Sequence, residues 1–260
     1  MIGFIGGGNM AEALIKGIAA KHGKDIIVSE PLADRRGYLE KTYRVKTTSD
    51  NKEVLKNCTA IILAVKPQNM AEVTAEISDM TNDKLIVSIA AGIPISYLSS
   101  RLKTTKIIRV MPNTPALIQE GMSVMSMCEC IHDKEISIIK EIFMSVGSLL
   151  MLPEKYMNAV TALSGSGPAF FAFFVEALIE GGIKIGLEKA DAHTLAIQTM
   201  LGTARLLDTG MAPVKLREMV TSPGGTTAAG IKVFQEQGFT DAVIASLEAA
   251  TNRARELGGE

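Results

Sequence analysis

Short, mostly apolar runs rich in β-branched residues recur at 3–5, 26–29, 60–65, 85–90 and 106–111, separated by helix-like segments of roughly ten or more residues. This alternation predicts βαβ units and a mostly parallel sheet with helices on both faces. The run Ile61-Ile62-Leu63-Ala64-Val65 has no polar position, as expected of a strand buried on both sides. Runs at 122–127 and 148–152 extend the sheet, and the helix expected between them, 134–146, gathers Ile138, Ile139, Ile142, Phe143 and Val146 on one face. After Pro153 the texture changes to helices alone, at about 154–164, 168–186, 189–210, 213–220, 226–237 and 239–258. Gly186, Gly210 and Gly238 mark stops, and Asp191 or Thr240 suits a helix start. An α/β domain over 1–153 followed by an all-α domain over 154–260 is the expected architecture.

The stretch 169–179, Ala-Phe-Phe-Ala-Phe-Phe-Val-Glu-Ala-Leu-Ile, is apolar nearly all round, so it must be covered on every side. A helical domain of roughly 105 residues has a limited interior. A second subunit therefore covers part of it; the alternative is the central helix of a monomeric bundle. The uncharged run 159–175 is broken by Ser164-Gly165-Ser166-Gly167-Pro168, which argues against a membrane span.

Charge and composition narrow the chemistry. Lys and Arg number 27 against 28 Asp and Glu, so the basic surplus that phosphate neutralisation demands is missing, and no nucleic-acid partner is expected. Aromatic residues make up 5% with no Trp, which removes base-stacking platforms. The content of 47% hydrophobic residues supports a sizeable aliphatic core. Cys58, Cys128 and Cys130 lack zinc-site spacing and read as structural thiols in a reducing compartment, with no metal expected. The chain opens on a strand-like segment with no basic region before it, so the expected location is cytoplasmic.

Three segments carry candidate chemistry. Gly6-Gly7-Gly8-Asn9-Met10-Ala11, directly after the strand ending at Ile5, fits the G-x-G-x-x-A dinucleotide fingerprint and makes the first domain Rossmann-type. Gly6 permits the tight turn, Gly8 admits a pyrophosphate, and the helix that follows presents unpaired N–H groups. Glu30, about 24 positions after Gly6, lies where an acidic residue holds a ribose 2′-OH and favours NADH. Arg35 and Arg36 follow closely and suit a 2′-phosphate, which favours NADPH, so the preference stays open. The second segment, Ala64-Val65-Lys66-Pro67-Gln68, ends a strand where ligands bind open α/β sheets, and Pro67 forces Lys66 to be extended. Lys66 is a cofactor or substrate contact, or a plain surface lysine. The segment Ser88-Ile89-Ala90-Ala91-Gly92 ends the next strand in mostly small residues, and Met111-Pro112-Asn113-Thr114-Pro115 makes a rigid turn after the one beyond. In the third segment, Ser222-Pro223-Gly224-Gly225-Thr226-Thr227 precedes a helix and suits a carboxylate, although an ordinary capped turn has the same pattern.

Taken in order, Gly-Gly-Gly-Asn-Met-Ala, Ala-Val-Lys-Pro-Gln, Arg-Val-Met-Pro-Asn-Thr-Pro, Leu-Ser-Gly-Ser-Gly-Pro-Ala and Ser-Pro-Gly-Gly-Thr-Thr resemble the pyrroline-5-carboxylate reductases over essentially the whole chain. The resemblance implies that Gly6, Gly7, Gly8, Asn9 and Met10 hold the pyrophosphate of NADPH or NADH and that Asn51 meets the adenosine side. It implies that Ala64, Val65, Lys66 and Pro67, with Ile89, Ala90 and Ala91, line the path to the nicotinamide. Ser222 through Thr227 would take the carboxylate of 1-pyrroline-5-carboxylate, with the Thr227 hydroxyl at the ring nitrogen as the catalytic hydrogen-bond donor. The second domain would form a homodimer, with dimers assembling to a decamer. Glu30 departs from the small polar residue often found there in relatives that favour NADPH.

Two rival functions make distinct demands. A hydroxyacid dehydrogenase needs a base, usually a lysine on the first long helix of the second domain, and 170–183 has Glu176 and Glu180 but no Lys. A non-catalytic cofactor-binding regulator would not need the 222–227 turn. His22, His132 and His193 read as surface or turn residues rather than as acids.

Overall fold

The apolar runs become strands of one eight-stranded sheet in the computed structural model, which describes residues 1–128 and 130–258. The chain runs β1 (Ile2–Ile5), α1 (Asn9–His22), β2 (Ile26–Ser29), α2 (Ala33–Tyr43), β3 (Lys46–Thr48), α3 (Asn51–Asn57) and β4 (Ala60–Leu63). It continues through α4 (Met70–Ile77), β5 (Leu85–Ser88), α5 (Ile95–Ser99), β6 (Ile107–Met111), β7 (Gly121–Met127), α6 (Asp133–Met144) and β8 (Gly147–Met151). The sheet order is β3-β2-β1-β4-β5-β6-β7-β8, and β6–β7 is the antiparallel pair in an otherwise parallel ladder. Strand order reverses between β1 and β4, the switch point above which doubly wound sheets bind their ligands.

Strands β1, β2, β4 and β5 are buried at every position because alternate residues feed two different layers. Phe4, Val28, Ile62 and Val87 pack with Leu14, Ile15 and Ile18 of α1 and with Ile139, Ile142 and Phe143 of α6. Ile5, Ile27, Ile61, Leu63 and Ile86 pack instead with Val54 and Leu55 of α3, Met70 and Ile77 of α4, and Leu98 of α5. Each such side chain contributes about 1.5–3 kcal/mol on burial. A one-residue slip would exchange the layers and is strongly disfavoured. Helix α3 approaches β1 closely because Gly3 carries no side chain; a Cβ there would lie 2.4 Å from Val54 Cγ1.

Two features differ from the sequence reading. Edge strand β3, Lys-Thr-Thr, has no apolar run and is held by pairing with β2. Cys128 and Cys130 lie past the end of β7 and are bonded to each other, so they are not free thiols, whereas Cys58 is free and buried.

Beyond Pro153 the chain is helical: α7 (Met157–Val160), a π-helical turn (Thr161–Gly165), α8 (Gly167–Lys184), α9 (Lys189–Asp208), α10 (Pro213–Met219), α11 (Thr226–Glu236) and α12 (Phe239–Gly258). By packing, the protein separates into two compact units, Met1–Ser166 with residues from Ala249 on, and Gly167–Glu248. In the second unit Phe174, Phe234 and Phe239 cluster with ring centroids 5.1–6.2 Å apart. Phe171 and Phe173 remain 61% and 73% exposed, an apolar surface too large for helices that stay alone in water. By length and composition the helical stretch Glu154–Lys184 could cross a membrane, and 17% of its most apolar window is buried.

Candidate active site

Parallel register sets four strand ends level. Ile5 pairs with Ser29 and with Leu63, and Leu63 pairs with Ser88. The next residues extend the ladder by one rung. Gly6 N–H donates to Ser29 O at 2.8 Å, Ala64 N–H to Ile5 O at 2.8 Å, and Ile89 N–H to Leu63 O at 3.2 Å. Glu30 N–H donates to Thr48 O at 3.0 Å. Gly6, Glu30, Ala64 and Ile89, remote in sequence, thus open one rim at the carboxyl edge of the sheet.

The glycine turn is built for close approach. Gly6 has φ +98°, and a Cβ there would meet Ala64 O at 2.6 Å, so a side chain is excluded both by backbone conformation and by space. Gly8 is the N-cap of α1 with no side-chain cap bond, which leaves first-turn N–H groups directed outward. A Cβ on Gly8 would have nothing within 4 Å, an open cradle at the positive end of the helix. This combination suits the pyrophosphate of a dinucleotide.

Beside the cradle lies a cavity of about 380 Å³. Gly8, Asn9 and Met10 line one side, Ala64, Val65, Lys66 and Pro67 another, and Ile89, Ala90 and Ala91 a third. Lys66 is extended (φ −64°, ψ 147°) and exposed, as the following proline requires. The cavity is completed by Met111, Pro112, Asn113, Thr114 and Gly165, to which the sequence reading gives no cofactor or substrate role. The sequence marks Met111 to Thr114 as a rigid turn after a strand and Gly165 as part of the 164–168 break, but nothing in it brings the two together. Asn113 pins that turn, its Oδ1 accepting from Met122 N–H at 2.8 Å and its Nδ2 donating to Ser164 O at 3.3 Å.

The remaining candidates stand behind the cavity or apart from it. Ile5 and Gly7 are buried beneath the rim. Glu30, 7% exposed, accepts from Gly7 N–H at 2.9 Å and from Leu32 N–H at 3.0 Å. Arg35 donates from Nε to Gly7 O at 2.6 Å and from Nη2 to Glu12 Oε2 at 2.5 Å, so both backbone polar groups of Gly7 are held. Glu12, which sequence reasoning missed, also accepts from Tyr38 at 2.8 Å and Tyr43 at 2.7 Å. Burial raises the Glu12 carboxyl, but the Tyr43, Arg35 and Tyr38 hydrogen bonds outweigh it and hold the group below its usual range. Burial and the Glu12 carboxylate together push the Tyr43 phenol up. Asn51 opens α3 and donates to Glu76 Oε2 at 2.7 Å.

In the helical unit, Gly225 N–H donates to Ser222 O at 3.0 Å, closing a turn in which Gly224 has φ +71°. Gly225 is the N-cap of α11 without a side-chain cap bond, and Thr226 and Thr227 are its first residues. Ser222, Pro223, Gly224 and Thr226 are exposed, while Gly225 and Thr227 are half-buried. A second uncapped helix start, flanked by hydroxyls, is thereby open to an anion.

Comparison with known proteins adds the following. Residues 154–257 match the family described as pyrroline-5-carboxylate reductase dimerisation, and residues 1–92 match NADP oxidoreductase coenzyme F420-dependent. A pyrroline-5-carboxylate reductase of Synechocystis is 42% identical over 261 residues, covering 99% of this chain and 98% of that protein. Among solved structures, a pyrroline-5-carboxylate reductase from Coxiella burnetii superposes with TM-score 0.91 at 36% identity, covering 98% of this chain and 97% of that one. A pyrroline carboxylate reductase of Plasmodium falciparum, solved with NADP bound, gives TM-score 0.89 at 31% identity, covering 99% and 97%.

Proposed function

The chain belongs to the pyrroline-5-carboxylate reductase family, and from that premise we propose how its residues divide the reaction. It is an NAD(P)H-dependent oxidoreductase that reduces the C=N bond of 1-pyrroline-5-carboxylate to give L-proline. Residues 1–153 carry the cofactor, and 154–260 carry the substrate turn and the dimer contacts.

Gly6, Gly8, Asn9 and Met10 receive the pyrophosphate, with Ile5 and Gly7 buried beneath them as the cofactor turn's support; the open cradle at Gly8 is the observation that carries this assignment. Glu30 and Arg35 border the adenosine ribose, and Asn51 meets the adenosine side. Ala64, Val65, Lys66 and Pro67, with Ile89, Ala90 and Ala91, line the nicotinamide path, supported by their convergence on one cavity. When bound, the reduced nicotinamide supplies the hydride. Ser222, Pro223, Gly224, Gly225 and Thr226 receive the substrate carboxylate through backbone N–H groups. The Thr227 hydroxyl donates to the imine nitrogen, which draws electron density from the carbon and makes it a better hydride acceptor. A preorganised donor of this kind contributes about 2.7–4 kcal/mol when removed elsewhere.

The protein oligomerises through its helical domain. Our reading is a homodimer, with dimers assembling to a decamer, in which a second copy rather than lipid covers the apolar faces of α8. The enzyme works in the cytoplasm, and nucleic acid is not a partner. Thr227→Ala tests the catalytic assignment. Turnover should fall ten-fold or more while cofactor affinity holds, and a change under two-fold would remove Thr227 from the mechanism.

A further inference from the structure

We propose that Glu30 makes this enzyme select NADH over NADPH, an inference that rests on the dinucleotide reading of the glycine turn. In a Rossmann sheet of this order the adenosine ribose lies at the end of β2, and the residue there meets its 2′ position. Three observations fix what a 2′ substituent would face. The Glu30 carboxylate is nearly fully buried and is locked from two sides, by Gly7 N–H on the fingerprint turn and Leu32 N–H at the entry to α2. It cannot swing away without freeing a backbone donor of the turn that holds the pyrophosphate. A carboxylate accepts about four hydrogen bonds and donates none, so the two sites left over suit ribose hydroxyls, which can donate.

A 2′-phosphate is largely stripped of such protons and carries about −1.5 to −2 charge against this fixed negative group. Of the two arginines that could offset that charge, Arg35 is already paired with a carboxylate and Arg36 has one nitrogen held by backbone carbonyls. Arg35 is bound to Gly7 O and paired with Glu12. Arg36 Nη1 donates to Glu30 O at 2.7 Å and to Pro31 O at 2.8 Å. Redirecting Arg35 would strip Glu12 of its cationic partner and unpin the Gly7 carbonyl. Discrimination therefore comes from a held carboxylate backed by arginines that brace the turn.

The test is direct binding, read by the fluorescence of NADH and NADPH on the intact protein, with adenosine 5′-monophosphate and adenosine 2′,5′-bisphosphate as competitors. The wild type should bind NADH at least ten-fold tighter than NADPH, and the monophosphate should compete better than the bisphosphate. Glu30→Gln keeps the size and removes the charge, and should tighten NADPH at least five-fold; Glu30→Ser should bring the two affinities level or reverse them. Equal or tighter NADPH binding by the wild type overturns the proposal even if neither variant folds. So does a preference that Glu30→Gln and Glu30→Ser leave unchanged within two-fold. Failure to bind either dinucleotide sinks the cofactor reading itself, and this inference with it, whereas NADPH preference sinks the inference alone.

Discussion

Gly8→Ala adds one methyl group to a place where the protein leaves room for it. Its backbone (φ −69°, ψ −175°) is open to any residue, and the added carbon would have no neighbour within 4 Å. Removing glycine freedom from the unfolded chain stabilises by about 0.4–1 kcal/mol where the native conformation tolerates a side chain, so the melting temperature should hold or rise slightly. Binding should behave in the opposite way. The methyl group would stand in the cradle in front of the α1 N-terminus and hold a phosphate away from the backbone donors. Loss of one hydrogen bond to a charged group costs about 1.5–3 kcal/mol, which weakens NAD(P)H binding roughly ten- to a hundred-fold. Gly6→Ala is the contrasting control, because φ +98° strains an alanine and its Cβ would press on Ala64 O and C at 2.6 and 2.9 Å. Strain of about 1–3 kcal/mol plus overpacking of about 1–3 kcal/mol lowers the melting temperature by several degrees or more. The assay pairs calorimetric melting with cofactor titration on both variants. A Gly8→Ala protein that binds NAD(P)H like the wild type, or that unfolds as Gly6→Ala does, would refute the assignment of the cradle.

The Glu12 network gives a pH signature. Because the folded-state carboxyl is held below its unfolded value, its contribution to stability is present above the ordinary glutamate pKa and disappears as pH falls through the lower folded value. Glu12→Gln, which loses charge in bonds to Arg35, Tyr38 and Tyr43, should be less stable by about 2 kcal/mol at pH 7. The two proteins should draw together as pH falls below the ordinary glutamate range, and a stability difference that stays constant with pH there would show that the Glu12 charge contributes nothing. For the helical unit, Phe173→Glu places a charge on a side chain that is 73% exposed in the single chain. Light scattering should report a smaller assembly than the wild type, and an unchanged mass would locate the subunit contact elsewhere.

Chemically local signals already contained much of the fold. Runs such as Ile61-Ile62-Leu63 had to be doubly covered strands because neither alternate set of residues tolerates water, and the bare glycines after Ile5 had to form a turn that only a small residue can enter. The loss of such runs after Pro153 likewise announced helices, and Thr226 stands at the head of its helix as its hydroxyl-rich context suggested. Pairing between distant segments is a different matter, since periodicity encodes whether a residue is buried but not against which partner. Lys46-Thr47-Thr48 becomes a strand only because β2 offers it an edge. Arg35 reads equally well as a phosphate ligand until Glu12 and Gly7 O are seen to hold it, and Cys128 meets Cys130 only after the chain leaves β7. The cavity joins Gly8, Lys66, Ala90 and Asn113, drawn from four strand-end loops, with Gly165 of the π-helical turn. Register across the parallel sheet, set by two hydrophobic layers at once, brings those loops to one edge.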